Sequence, residues 1–148
     1  MTKTTVGIVG NGTVGQATAL LQGEDISVII YDIIPDKCVP EGTTLEQVAA
    51  CDWVFVCLPT PIGFHGSCHS DFVKEAIASL REYNTQAHLV VRSTVPPGIC
   101  RSFGVHSMPE FLREDHWESD FREQTNWVVG VNDHLPSAQA FQTALQEL

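Results

Sequence analysis

Residues 5–32 read TVGIVGNGTVGQATALLQGEDISVIIYD, and this stretch decides the fold. It opens on a short apolar run, Val6-Gly7-Ile8-Val9, of the kind that forms a strand. Gly10-Asn11-Gly12-Thr13-Val14-Gly15 follows and fits G-x-G-x-x-G without a mismatch. The pattern predicts a helix over Val14 to Gln22, then a second strand, Ile26 to Tyr31, ending at the acidic Asp32. Each part has a physical role in binding a dinucleotide. Gly10 allows a tight turn out of the first strand, Gly12 leaves room for a pyrophosphate at the backbone, and Gly15 lets the helix pack on the strand. The N–H groups and positive end of that helix face the phosphates. Asp32 follows the first glycine by about the 20 residues of the fingerprint, so its carboxylate can accept both hydroxyls of an adenosine ribose. It also repels a 2′-phosphate, which favours NAD over NADP. A glycine-rich turn that binds nothing explains the hexapeptide alone, but here strand, glycines, helix, second strand and acid occur together.

Beyond Asp32, residues 33–37 read as a loop, and Thr43 with Glu46 reads as a capping box opening a helix from Thr44 to Ala50. Trp53 to Leu58 is a continuous apolar run, the signature of a strand buried on both faces of a parallel sheet. It stops at Pro59-Thr60-Pro61. A Gly-, Ser- and His-rich loop spans Ile62 to Ser70, and helical spacing returns over Asp71 to Tyr83. His88 to Val91 is the next buried strand, leading into Arg92-Ser93-Thr94-Val95-Pro96-Pro97-Gly98. Val105 to Ser107 reads as a short strand, Asp115 to Gln124 as loop or weak helix, Trp127 to Val131 as a last strand, and Pro136 to Leu148 as a closing amphipathic helix. Strands alternating with helices predict an α/β fold: a Rossmann-like, doubly wound, mostly parallel sheet with helices on both faces, in one domain over residues 1–148. Ligands of such sheets bind at the carboxyl ends of the strands, so Gly10, Asp32, Pro59 and Ser93 are expected to share one crevice.

The net charge of −10 excludes the basic patches that nucleic acid or an anionic membrane requires, and no apolar run reaches transmembrane length. It does not exclude an anionic nucleotide, which a few local donors can hold. Cys38, Cys51, Cys57, Cys68 and Cys100 form no C-x-x-C pair, and the odd number reads as free thiols in a reducing, cytoplasmic compartment. The opening MTKTT leads straight into a strand and does not resemble a signal peptide. His65, Cys68, His69 and His106 match no zinc spacing, so no metal is expected.

Several segments, in this order, resemble the N-terminal, NAD-binding domain of the nucleotide-sugar 6-dehydrogenases, the UDP-glucose and GDP-mannose 6-dehydrogenase family. They are Val9 to Gly15, Tyr31-Asp32 with Lys37, Val56-Cys57-Leu58-Pro59-Thr60-Pro61, Ser93-Thr94-Val95-Pro96-Pro97-Gly98, and Pro109-Glu110-Phe111-Leu112-Arg113-Glu114. The first is generic to NAD-binding folds, and the last two are far more specific. The resemblance implies that Gly12, Thr13 and Val14 contact the pyrophosphate, that Asp32 and Lys37 hold the adenosine ribose, and that Pro59 and Thr60 line the cofactor cleft. It further implies that Thr94 positions water and substrate, that Glu110 serves proton transfer and thioester hydrolysis, and that Glu114 sits near the nicotinamide. Read from the residues alone, a carboxylate beside a threonine in a partly dehydrated cleft can act as a general base on a bound water. The same residues equally allow Thr94 to end a strand and Glu110 and Glu114 to cap or solvate a helix.

The chain also departs from the family pattern. Met108 stands where the family usually has Asn before Pro-Glu-Phe, and Arg92 stands where Lys commonly precedes Ser-Thr. The link from Gly98 to Met108 reads as too short for the helix and strand the family places there, so one face of the sheet is expected to lose a helix. The resemblance implies an alcohol-to-acid oxidation in two hydride transfers, through a thiohemiacetal and a thioester on a cysteine in a Gly-Phe-Gly-Gly-x-Cys motif. None of the five cysteines has that context. Cys57, in a buried strand, is a poor substitute because apolar burial raises a thiol pKa. These residues by themselves are therefore expected to bind NAD without completing the oxidation. Three arrangements stay open: the cofactor half of a split dehydrogenase whose partner chain brings sugar nucleotide and cysteine, a non-catalytic binding module, and a homodimer that covers the trimmed face. A small hydroxy-acid dehydrogenase shares the glycine fingerprint, but Ser-Thr-Val-Pro-Pro-Gly and Pro-Glu-Phe-Leu speak against it.

Overall fold

The structure, a computed structural model, describes residues 3–146 and residue 148. A five-stranded sheet runs through the middle in the order β2-β1-β3-β4-β5. The strands are β1 Thr4–Val9, β2 Ile26–Tyr31, β3 Trp53–Val56, β4 His88–Val91 and β5 His106–Ser107. Every pairing within it is parallel, with Val9 beside both Tyr31 and Val56. The helices are α1 Thr13–Thr18, α2 Leu45–Ala49, α3 Asp71–Glu82, α4 Ile99–Phe103, α5 Trp117–Glu123 and α6 Ala138–Leu145. This is the doubly wound order with its switch point between β1 and β3, where a crevice opens because the chain leaves in opposite directions.

Alternation along the strands divides the core in two. Val54, Val56 and Val91 pack with Val48 of α2 and Val73, Ile77 and Leu80 of α3 on one face. Trp53, Phe55 and Val90 pack with Val6, Ile8, Met108 and Phe141 of α6 on the other. Both faces are covered, which is why the strands are apolar throughout. The Met108 side chain is 5% exposed within this second cluster, so the position fills the core.

Several sequence expectations are corrected in detail. The capping box lies one residue on. The Thr44 hydroxyl accepts from the Gln47 N–H at 3.2 Å and Gln47 Oε1 accepts from the Thr44 N–H at 2.9 Å. Glu46 lies one position too early to reach back. Helix α1 is shorter than the expected Val14–Gln22 and tightens into a 3-10 turn over Ala19–Leu21. The stretch from Gly98 to Met108 does hold a helix and a strand, because α4 has five residues and β5 two. Gly98 and Gly104 flank α4 with positive φ and turn the chain sharply at both ends. Cys100 and Phe103 of α4 pack against the core, so that face of the sheet is not stripped of its helix. Trp127 to Val131 is not a strand: only Gly130 bridges, antiparallel, to Ser107. Residues 114–123 are a 3-10 turn followed by α5. The closing helix spans Ala138–Leu145 rather than 136–148, and residue 147 of that expectation lies outside the described residues.

Candidate functional site

A cleft of about 700 Å³ opens at the carboxyl ends of β1 to β4, between the glycine turn, Asp32, Leu58-Pro59-Thr60 and Ser93-Thr94. Its size is that of a small-molecule site. A second depression, about 710 Å³, lies at the amino ends of the strands between Lys3, Asp52, Tyr83 and His88. It contains none of the candidate residues, and parallel sheets bind at the carboxyl end.

The three fingerprint glycines do different things. Gly10 has φ +100°, and a Cβ there would lie 2.5 Å from the Cys57 carbonyl oxygen, across the β1–β3 switch point. A Cβ on Gly15 would fall 2.0 Å from the Gly10 carbonyl oxygen. These two are closed by protein. A Cβ on Gly12 meets nothing within 4 Å, and Gly12 lines the cleft. The turn is fixed by the acid at the end of β2. Asp32 Oδ2 accepts from the Asn11 N–H at 2.8 Å and its Oδ1 from the Ile34 N–H at 2.9 Å. The Gly10 N–H donates to the Tyr31 carbonyl at 2.8 Å. Asn11 Nδ2 donates to the Lys37 carbonyl at 2.7 Å, while its buried Oδ1 has no partner and remains an acceptor.

The other wall is stitched by side chains. The Leu58 N–H donates to Ser93 Oγ at 2.9 Å, and Thr60 Oγ1 donates to the Thr94 carbonyl at 2.7 Å. Thr94 and Glu110 both line the cleft. Glu110 Oε2 accepts from the Leu112 N–H at 2.6 Å, so its carboxylate partly caps its own backbone. Of the residues singled out in the sequence, Gly10, Gly12, Val14, Asp32, Lys37, Pro59, Thr60, Thr94 and Glu110 meet at this cleft. Thr13 opens α1 and Gly15 is buried beneath the turn. Glu114 is not brought there; it lies exposed in the turn Glu114–His116. Cys57 lies at the cleft floor, where burial pushes its thiol up to about 11 despite the nearby Arg92 charge. A thiol raised in this way is a poor source of thiolate. Among the described residues, no three His, Cys, Asp or Glu side chains gather as metal ligands, and no helix is long and apolar enough to cross a membrane.

Arg92 is the residue whose importance the sequence understated. It is 1% exposed, lines the cleft, and lies with its Cζ 5.8 Å from the Phe121 ring and 5.5 Å from the Trp127 ring. Burial pulls its guanidinium below its ordinary pKa, and the Cys57 and Glu110 charges push back. The basic residue at the end of a buried strand was the available signal.

A parallel sheet with this glycine turn, an acid at the end of β2 and an open crevice at the switch point defines a Rossmann-type dinucleotide-binding domain. Residues 37–146 match the UDP-glucose/GDP-mannose dehydrogenase family, NAD binding domain, and the chain belongs to that family. The match begins after the glycine turn, which the fold brings to the same cleft as the matched loops. UDP-glucose 6-dehydrogenase of Rickettsia conorii is 36% identical over 100 residues, spanning 60% of this chain and 23% of that protein. GDP-mannose 6-dehydrogenase of Pseudomonas syringae is 31% identical over 130 residues, spanning 72% of this chain and 30% of that protein. Among solved structures, a UDP-glucose dehydrogenase from Pyrobaculum islandicum superposes on 98% of the chain with a TM-score of 0.76 and 24% identity, and the match covers 44% of that chain. The GDP-mannose dehydrogenase of Pseudomonas aeruginosa gives 0.76 over 97% of the chain at 19% identity, again covering 44% of its own length. These likenesses establish the fold. The chain thus spans about a quarter of the length of the curated relatives it matches.

Proposed function

We propose that this chain binds NAD in the cleft at the carboxyl ends of β1 to β4, as the cofactor half of a nucleotide-sugar 6-dehydrogenase. The observation that carries this reading is the contrast among the glycines. Gly10 and Gly15 are closed by protein, while Gly12 faces open cleft where a phosphate can approach. Bound NAD would supply the hydride acceptor. Gly12, Thr13 and Val14 surround its pyrophosphate, Asp32 and Lys37 hold the adenosine ribose, and Pro59 and Thr60 form the wall. The unpartnered Asn11 Oδ1 offers an acceptor at the same end. Thr94 holds a water or substrate oxygen, and Glu110, once released from the Leu112 N–H, accepts its proton. We assign no role to Glu114, which is exposed and does not line the cleft.

In this reading the sugar nucleotide and the nucleophilic cysteine come from outside these residues, and the Cys57 pKa of about 11 supports looking elsewhere for the thiolate. A cytoplasmic setting suits five free thiols. A homodimer would cover exposed Ile62 and Phe64, 84% and 94% accessible. The test is direct: the purified chain titrated with NAD binds it, and with NAD and UDP-glucose it makes no UDP-glucuronate. Product formation by the chain alone would overturn the division of labour, and failure to bind NAD would overturn the cofactor reading.

A further inference from the structure

Three of the buried polar atoms left without a partner belong to the β4–β5 half of the sheet: Arg92 Nε, Arg92 Nη2 and His106 Nε2. The His106 ring is buried and stacked on Phe141, and it lines neither of the two clefts described above. The Arg92 pair lies in a side chain that lines the site. A charged guanidinium with two of its three nitrogens buried and unpartnered is costly, and the faces of Phe121 and Trp127 satisfy its charge only in part. Nε and Nη2 are also a particular pair. Their N–H bonds run parallel along one edge of the guanidinium, and that edge is the fork that grips both oxygens of a planar carboxylate.

We propose that the Nε–Nη2 edge of Arg92 is a carboxylate-recognition site at the floor of the cleft, for a carboxylate carried by a ligand that enters beside Thr94 and Glu110. It rests on the reading of this cleft as a ligand site, and it adds the chemical class that the β4 side selects. Access runs through the wall Arg92 shares with Cys57, Ser93 and Glu110. Both nitrogens are closed to solvent here, so a carboxylate could reach them only by displacing a neighbouring side chain. Glu110 is the one carboxylate of the chain lining the cleft whose charge acts on Arg92, but its Oε2 is engaged by the Leu112 N–H. The fork is therefore buried and without a partner from this chain. An acid is also the group that alcohol-to-acid oxidation would leave, so the site would hold product or a carboxylate-bearing regulator by the same two bonds.

The probe is sodium acetate, with sodium chloride at equal ionic strength and inorganic phosphate as separate arms. Binding is read by tryptophan fluorescence and by calorimetry on the full chain. Trp127 lies 5.5 Å from the Arg92 Cζ and reports a change there, and Trp127→Phe removes that signal. Acetate should saturate the wild type while chloride and phosphate do not. Arg92→Lys keeps a charge but loses the fork, and should weaken acetate about 10- to 100-fold, the range for a charged hydrogen bond. Arg92→Gln should abolish the response; if it does not fold, the lysine variant carries the test. Glu110→Gln should bind acetate at least as well as wild type. Acetate binding only in Glu110→Gln would make Glu110 the occupant of the fork and overturn the proposal. Equal responses to chloride or phosphate, or none to acetate in either protein, would also overturn it. Wild-type NAD titration is run alongside: NAD binding without acetate binding sinks this inference alone, and acetate binding without NAD sinks the cofactor reading alone.

Discussion

The two walls of the cleft are made of different material. On the β1–β2 side the backbone does the work. The Gly10, Asn11 and Ile34 N–H groups are all engaged, two of them by the Asp32 carboxylate. Gly10 and Gly15 leave no space for a side chain. On the β4–β5 side the strands are four and two residues long, and side chains define the wall: Ser93, Thr60, Glu110 and the buried Arg92. The first wall has these backbone donors paired before a ligand arrives, with Asn11 Oδ1 left as a free acceptor. The second holds a buried cation with an unpartnered edge. A dinucleotide presents the same phosphates to every protein that binds it, so a backbone cradle suffices. A substrate or product differs from family to family, and only side chains can select it.

This contrast can be broken by substitution, and the largest effect is expected at the rigid wall. Gly15→Ala drives a methyl to 2.0 Å from the Gly10 carbonyl oxygen. Backbone must move, and urea unfolding should show a loss of about 3 kcal/mol or more. An unchanged midpoint would mean the turn is softer than drawn. Gly12→Val is the complementary case, because its Cβ meets nothing within 4 Å. Its thermal midpoint should stay near wild type while NAD affinity falls on the order of 100-fold, or nearly 3 kcal/mol. Loss of stability together with affinity would blur the distinction between structural and functional glycines.

The softer half should reveal itself in pH dependence. Burial, aided by the nearby His88 charge and opposed by Asp133, pulls His106 down to about 4. Its Nδ1 accepts from the Asn132 N–H at 3.1 Å and its ring stacks on Phe141 at 3.6 Å, so the folded state holds it neutral. Below its ordinary 6.5 the unfolded chain takes up a proton that the folded chain refuses. Stability should therefore fall as pH drops from 6.5 towards 4, by about 3 kcal/mol, and His106→Phe should flatten that slope. Equal slopes in both proteins would assign the loss to other groups.

The smallest effect belongs to Asp52, at the far end of the strands. The Thr5 N–H at 2.8 Å and hydroxyl at 2.7 Å hold its carboxyl below the ordinary 3.8. A depressed carboxylate stabilises above the unfolded value and loses that contribution as pH falls through the folded one. Asp52→Asn should remove a slight acid sensitivity below 3.8 and leave the cleft and its ligands unaffected. A change in NAD affinity would show that the two ends of the sheet are coupled.

The same two halves differ in how far the sequence reveals them. Strands β1 and β2, the glycine turn and Asp32 were legible because each obeys a local rule: β-branched runs, a fixed glycine spacing, an acid at a set distance. Past Gly98 such rules thin out. The five residues of α4 are too few to show a helical period, and its glycine caps are the only local mark. Trp127 to Val131 has the composition of a strand, yet only Gly130 bridges to Ser107, because β5 offers two residues for pairing. Glu114 was named through resemblance, and it is exposed in the turn Glu114–His116 and does not line the cleft. The unpartnered edge of Arg92 depends on which atoms find partners in three dimensions, which no spacing records.

The measurement that tests the central claim most directly is a calorimetric titration of NAD into the wild-type chain and Gly12→Val, with melting curves for both. Saturable binding by the wild type, lost in a variant that melts at the same temperature, is the predicted result. Equal binding by both proteins would place NAD somewhere other than the glycine turn. No binding by the wild type at about millimolar NAD, the weak end of the affinity scale, would contradict the cofactor site itself.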